Sequence, residues 1–110
     1  MTPGDTAFTL IPRCAYSTAR ALVAALTARG ETVSTSESLP AGLLAAMIAG
    51  VPGASAVLRG GLIVYATDLK AGLAGVAGDT LARFGPVAEQ TARELAVGAA
   101  QRCRSTYGIS

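Results

Sequence analysis

The stretch from Val57 to Ala66 restricts the possible folds more than any other part of the chain. Leu62, Ile63, Val64 and Tyr65 follow one another without a polar break, and β-branched and aromatic residues fit a pleated strand. A continuous run of this kind predicts a strand covered on both faces, in a central position between two helical layers. Gly60-Gly61 inside it predicts a bulge or a close backbone approach.

The flanking sequence supplies the helical layers. Ala19, Leu22, Val23 and Leu26 share one face of a helix that begins near Ser17 and stops at Gly30. Thr32 to Ser36 alternates β-branched and small polar residues and reads as a strand. It runs through Glu37-Ser38-Leu39-Pro40-Ala41-Gly42 into a short apolar helix, Leu43 to Ala49, closed by Gly50, Pro52 and Gly53. Asp68 to Leu73 predicts one or two helical turns, and Asp79 predicts a cap for a short helix ending at Phe84. A longer helix follows from about Ala88 to Arg104, with Ala92, Leu95, Ala96 and Ala99 on its buried face. Tyr107 to Ser110 reads as the opening of another strand. Strands alternating with helices imply an α/β layered fold. A chain that stops as a strand begins suggests a domain incomplete at its carboxy-terminal end. Residues 1–14, with Pro3, Gly4 and Pro12, read as a leader, leaving 15–110 as the domain.

Composition removes several classes of function. The chain has 110 residues, 51% of them apolar and 15% charged, with a formal net charge of +2. That balance excludes a disordered segment and offers no basic stripe for nucleic acid. The sequence lacks histidine, which removes the usual catalytic triads and zinc sites. Cys14 and Cys103 sit near opposite ends, which leaves a long-range disulfide open, with two reduced, partly buried thiols the favoured reading. With neither a signal peptide nor a membrane-length apolar run, the expectation is a cytoplasmic protein.

Three residues around the main strand form a chemical group. Without histidine, a serine nucleophile needs another base, and lysine is the natural one. Lys70 is the chain's single lysine and lies just past the carboxyl end of the strand, where open α/β sheets hold ligands. Tyr65 lies at the same end and can relay a proton, whereas Ser55 precedes the strand, after Pro52-Gly53. The same residues also read as a turn serine, a core tyrosine and a solvated lysine, and spacing alone does not choose.

From Gly30 onward the chain resembles the carboxy-terminal domain of the CinA family, the nicotinamide-nucleotide amidohydrolases. The resemblance is carried by an ordered series: the ESxxxG pattern at Glu37 to Gly42, then VPGAS, RGG, the VxYAxxxK pattern through Tyr65 and Lys70, Gly75-Val76 and FGPV. It implies a three-layer α/β/α sandwich that hydrolyses the carboxamide of nicotinamide mononucleotide to nicotinate mononucleotide and ammonia, without metal or cofactor. By resemblance, Ser55 is the nucleophile, Lys70 its base and Tyr65 the proton relay. Glu37, Ser38, Gly42, Gly60 and Gly61 are expected to bind the substrate. A homo-oligomer is the expected assembly, with no nucleic-acid or membrane partner.

The chain departs from the family pattern at Pro40 and Ala41, where a Thr-Gly pair is usual, and at Ala88, where a capping serine is usual. The family pattern continues past the position of Ser110 into a TGxAGP loop, which lies outside these 110 residues. These departures leave a second reading open: a catalytically weak or inactive member that self-associates or binds nucleotide.

Overall fold

The computed structural model describes residues 13–110. Most of the expected leader therefore lies outside the described residues. Five helices and three strands follow in the order α1 (Arg13–Arg29), β1 (Val33–Glu37), α2 (Leu43–Ala49), β2 (Leu58–Ile63), α3 (Thr67–Gly72), α4 (Gly78–Phe84), α5 (Glu89–Cys103) and β3 (Tyr107–Ile109). A 3-10 turn over Ala54–Ala56 leads into β2. The three strands form one parallel sheet in the order β2-β1-β3.

The order corrects the expectation that the main strand is central. β2 lies at an edge of the described sheet and alternates between half-buried and exposed residues. The central strand is β1, VSTSE, buried at all five positions. Its serines and threonine are small enough to fit under helices on both faces, so their polarity does not signal exposure. The apolar run at residues 62–65 is split instead: Val64 is fully buried, but Ile63 and Tyr65 are more than half exposed.

Two separate apolar clusters define the layers. Ala19, Val23 and Leu26 of α1 pack with Ile48 of α2 and with Val33, Val51 and Val57 in one cluster. Val64, Ala74, Val76 and Leu95 form the other, with Leu62 and Leu81 against it. Helices thus cover both faces of the sheet, giving the α/β/α sandwich. Burying each aliphatic side chain contributes about 1.5–3 kcal/mol, and these few residues carry most of that term.

The α1 face matches the spacing prediction, but the helix starts at Arg13 rather than Ser17. Its end is closed by Gly30 at φ +64 and by the Glu31 N–H donating to the Leu26 carbonyl. Asp79 lies inside the first turn of α4; the residue before that helix is Ala77, whose N–H donates to Glu94 of α5. In α5 the buried side chains are Thr91, Leu95 and Ala99, with Gly98, while Ala92 is exposed beside a cleft. Gly98 meets the Ala74 carbonyl so closely that a Cβ would overlap it. That contact brings α5 onto the loop before α4.

Gly60-Gly61 performs both expected backbone functions. The register passes from Val33↔Leu58 to Ser34↔Gly60, so Arg59 is the extra residue of a bulge. A Cβ at Gly61 would overlap the Thr35 hydroxyl. Both cysteines are free thiols; Cys14 is exposed rather than partly buried, and Cys103 is half-buried. Among the described residues no helix is long and apolar enough to cross a membrane.

Candidate active site

β1 and β2 are adjacent and parallel, so the segments leaving their carboxyl ends emerge side by side. Ser38 directly follows β1, and Lys70 lies in α3, which follows β2. Lys70 is 2% exposed. Its Nζ donates to the Ser38 Oγ at 3.1 Å, to the Val64 carbonyl at 2.8 Å and to the Tyr65 carbonyl at 3.1 Å. No carboxylate lies within ion-pairing distance of it among the described residues.

An ammonium has three protons to give, and here it meets three acceptors. The two carbonyls can only accept. The Ser38 hydroxyl can accept or donate, so this is the one bond whose direction can reverse. With a neutral amine, Ser38 O–H points at the Nζ lone pair while both carbonyl bonds persist. The arrangement therefore accommodates the lysine before and after it takes a proton from serine.

Ser55 is not part of this group. It is exposed in the 3-10 turn at the amino end of β2, while Lys70 follows the carboxyl end. A six-residue strand separates them, roughly 20 Å at a rise of about 3.3 Å per residue. The structure therefore does not bring the expected nucleophile Ser55 to Lys70; the serine against the lysine is Ser38. Tyr65 is brought to Lys70 by its backbone carbonyl, and the residue is 65% exposed. The hydroxyl relay expected of Tyr65 has no counterpart in that contact.

The remaining candidates separate in the same way. Glu37 is 3% exposed, and its carboxylate accepts the Leu44 N–H at 2.7 Å and the Ala45 N–H at 3.1 Å. Both oxygens of this expected substrate-binding residue are thereby engaged by the first turn of α2. The engagement removes those amides as a phosphate cradle. Gly60 faces the Cys103 sulfur and Gly61 the Thr35 side chain, so both glycines serve packing. Gly42 opens α2 at φ +109 with Ile63 beside it.

The loop carrying Ser38 is tight and strained. Ala41 N–H donates to the Ser38 carbonyl, and Leu43 N–H to the Pro40 carbonyl, each at 3.2 Å. Pro40 has no N–H to place, which suits this turn. Ala41 adopts φ +51, a left-handed conformation that costs a non-glycine residue about 1–2 kcal/mol.

A cleft of about 830 Å³ opens beside Ser38, between α2 and the first half of α5. Leu43, Leu44, Met47 and Leu95 make it largely apolar, with Leu39 and Val87 exposed at its margin. Ser36 also lines it. The Ser36 Oγ is buried without a hydrogen-bond partner, as are the Ser34 Oγ and the Thr35 Oγ1. Among the described residues no cluster of three His, Cys, Asp or Glu side chains is placed to hold a metal ion.

The structure thus defines an α/β protein with a serine–lysine pair at the carboxyl ends of neighbouring parallel strands, beside an apolar cleft. Residues 15–110 match the model of the CinA C-terminal domain, and the chain belongs to that family. It is 41% identical over 86 residues to the nicotinamide-nucleotide amidohydrolase PncC of Escherichia coli K12, an alignment covering 78% of this chain and 52% of that one. It is 48% identical over 88 residues to a CinA-like protein of Anaeromyxobacter sp. Fw109-5, covering 80% of this chain and 22% of that protein. Among solved structures, the competence/damage inducible protein CihA of Agrobacterium tumefaciens superposes with a TM-score of 0.80 at 38% identity, covering 87% of this chain and 57% of that one. The chain thus spans about half the length of the Escherichia coli relative, and less of the longer CinA-like proteins.

Proposed function

We propose that this chain carries the site of an amidohydrolase acting on a carboxamide, with Ser38 as nucleophile and Lys70 as its base. The observation that carries this reading is the 3.1 Å contact between Lys70 Nζ and Ser38 Oγ. Kinship with PncC, whose name specifies a nicotinamide nucleotide, supports nicotinamide mononucleotide as the substrate. In this scheme the neutral amine of Lys70 takes the hydroxyl proton as Ser38 Oγ attacks the carboxamide carbon. Collapse of the tetrahedral adduct breaks the carbon–nitrogen bond, and Lys70 returns the proton to the departing ammonia. Water then attacks the acyl-serine with Lys70 again as base, which releases the carboxylate and restores the serine. The cleft beside Ser38 supports the reading by offering an apolar seat for a planar ring.

The test is ammonia release from nicotinamide mononucleotide by the purified chain. Ser38→Ala and Lys70→Ala are expected to abolish it, and Ser55→Ala to leave it intact. Turnover that survives Ser38→Ala and disappears in Ser55→Ala would reverse the assignment.

A further inference from the structure

The proposed hydrolysis gives the buried carboxylate of Glu37 no direct part, yet Glu37 immediately precedes Ser38. Its two oxygens are divided between the Leu44 and Ala45 amides, at 2.7 and 3.1 Å. One side chain at the end of β1 therefore grips the first turn of α2, and the intervening loop holds Ser38, Ala41 at φ +51 and Gly42 at φ +109. A loop held in sparsely populated conformations persists only where its surroundings fix it. α2 has seven residues, too few to hold its own first turn rigidly. No side chain at Gly42, the residue before α2, supplies a cap.

We infer that Glu37 is a positioning residue for Ser38: by clamping the start of α2 to the end of β1, its carboxylate keeps the loop closed and the Ser38 Oγ within reach of Lys70. This inference rests on the assignment of Ser38 as nucleophile. The clamp needs acceptors at both oxygens. Glu37→Gln keeps the shape but turns one oxygen into an NH2 donor facing an amide donor. Glu37→Asp keeps both acceptors and the charge but is one methylene short.

The experiment measures kcat and KM for ammonia release from nicotinamide mononucleotide, and the rate at which a fluorophosphonate labels Ser38. Glu37→Gln and Glu37→Asp are compared with Ile48→Val, which trims a core side chain of the same helix without touching the clamp. All are assayed where circular dichroism shows them folded. Because a displacement of about 1 Å at a reacting group can cost on the order of 100-fold, Glu37→Gln is expected to lower both kcat and labelling by roughly that factor. Glu37→Asp is expected to lose about 10-fold, with KM within about threefold of the parent in both variants. Ile48→Val leaves both rates within about twofold.

Parent-level kcat and labelling in either Glu37 variant that folds would overturn the inference. So would an equal loss in Ile48→Val, which would reduce the effect to helix stability. A raised KM with unchanged kcat would return Glu37 to substrate binding. An active Ser38→Ala would instead remove the nucleophile assignment, and this inference with it. An inactive Ser38→Ala beside an unimpaired Glu37→Gln removes the clamp alone.

Discussion

Two turns flank α2, and they are built from nearly the same residues. Ser38-Leu39-Pro40-Ala41-Gly42 leads into the helix, and Val51-Pro52-Gly53-Ala54-Ser55 leads away from it. Each has a serine, a proline and a glycine at positive φ. Only the first places its serine on Lys70. The difference is which end of the sheet each turn occupies. The first leaves a strand and so joins the other carboxyl-end segment, while the second enters one and leaves its serine exposed at the amino end. Local composition makes a turn; position in the parallel sheet determines whether its serine meets the lysine.

The largest predicted effect sets the two serines against each other. Ser38→Ala should reduce kcat for ammonia release by about 10³-fold or more, the scale of losing a nucleophile, while Ser55→Ala changes it by less than about twofold. Equal effects in steady-state kinetics would erase the distinction between the turns.

Lys70→Met asks whether the first turn depends on the lysine for structure as well. It leaves the Val64 and Tyr65 carbonyls without the Nζ donor. Lost turnover should therefore accompany a destabilisation of about 1–3 kcal/mol in urea unfolding. Full stability in this variant would confine Lys70 to chemistry.

Backbone strain gives a smaller contrast with opposite signs. Ala41→Gly should stabilise the protein by about 1 kcal/mol, because φ +51 suits glycine. Gly53→Ala should destabilise it by a similar amount, since its φ of +87 disfavours a Cβ even though nothing within 4 Å would touch it. Thermal melts of the two variants should shift in opposite directions.

The mildest prediction is a control away from both turns. The Glu94 carboxylate accepts from the Thr80 hydroxyl at 2.7 Å, the Ala77 N–H at 3.0 Å and Gln90 at 2.9 Å. The Thr80 hydrogen bond first, then the Ala77 amide and Gln90, hold its pKa below the usual glutamate range. The unfolded chain therefore binds the proton more readily. The contribution of Glu94 is present above about pH 4.3 and is lost as pH falls through the lower, folded value. Stability measured against pH should flatten in that acid window in Glu94→Gln.

Much of the fold was legible because helix periodicity and glycine stops are local signals. The Leu43–Ala49 helix has the predicted bounds, and α1 buries the predicted face. The central strand was not legible in the same way, since Ser34, Thr35 and Ser36 are polar residues buried on a two-sided strand. Lys70 stood out as the single lysine past a strand. Its partner did not, because the local turn signal, Pro52-Gly53, stands beside Ser55 instead. The usable signal for Ser38 was topological: it directly follows one strand, Lys70 follows the next, and parallel neighbours end together. The engagement of Glu37 by the α2 amides required three-dimensional knowledge of where the helix turns back.

The three bonds of Lys70 bear on how such a chain changes over generations. An ammonium that ties the end of β2 to α3 and to the β1 loop would be kept under selection for folding alone. A descendant selected only for its fold would therefore still carry this lysine for its two carbonyl bonds, while the serine, which supplies one acceptor, is the easier of the two to replace. In sequences of this kind, retention of the lysine is accounted for by the fold alone.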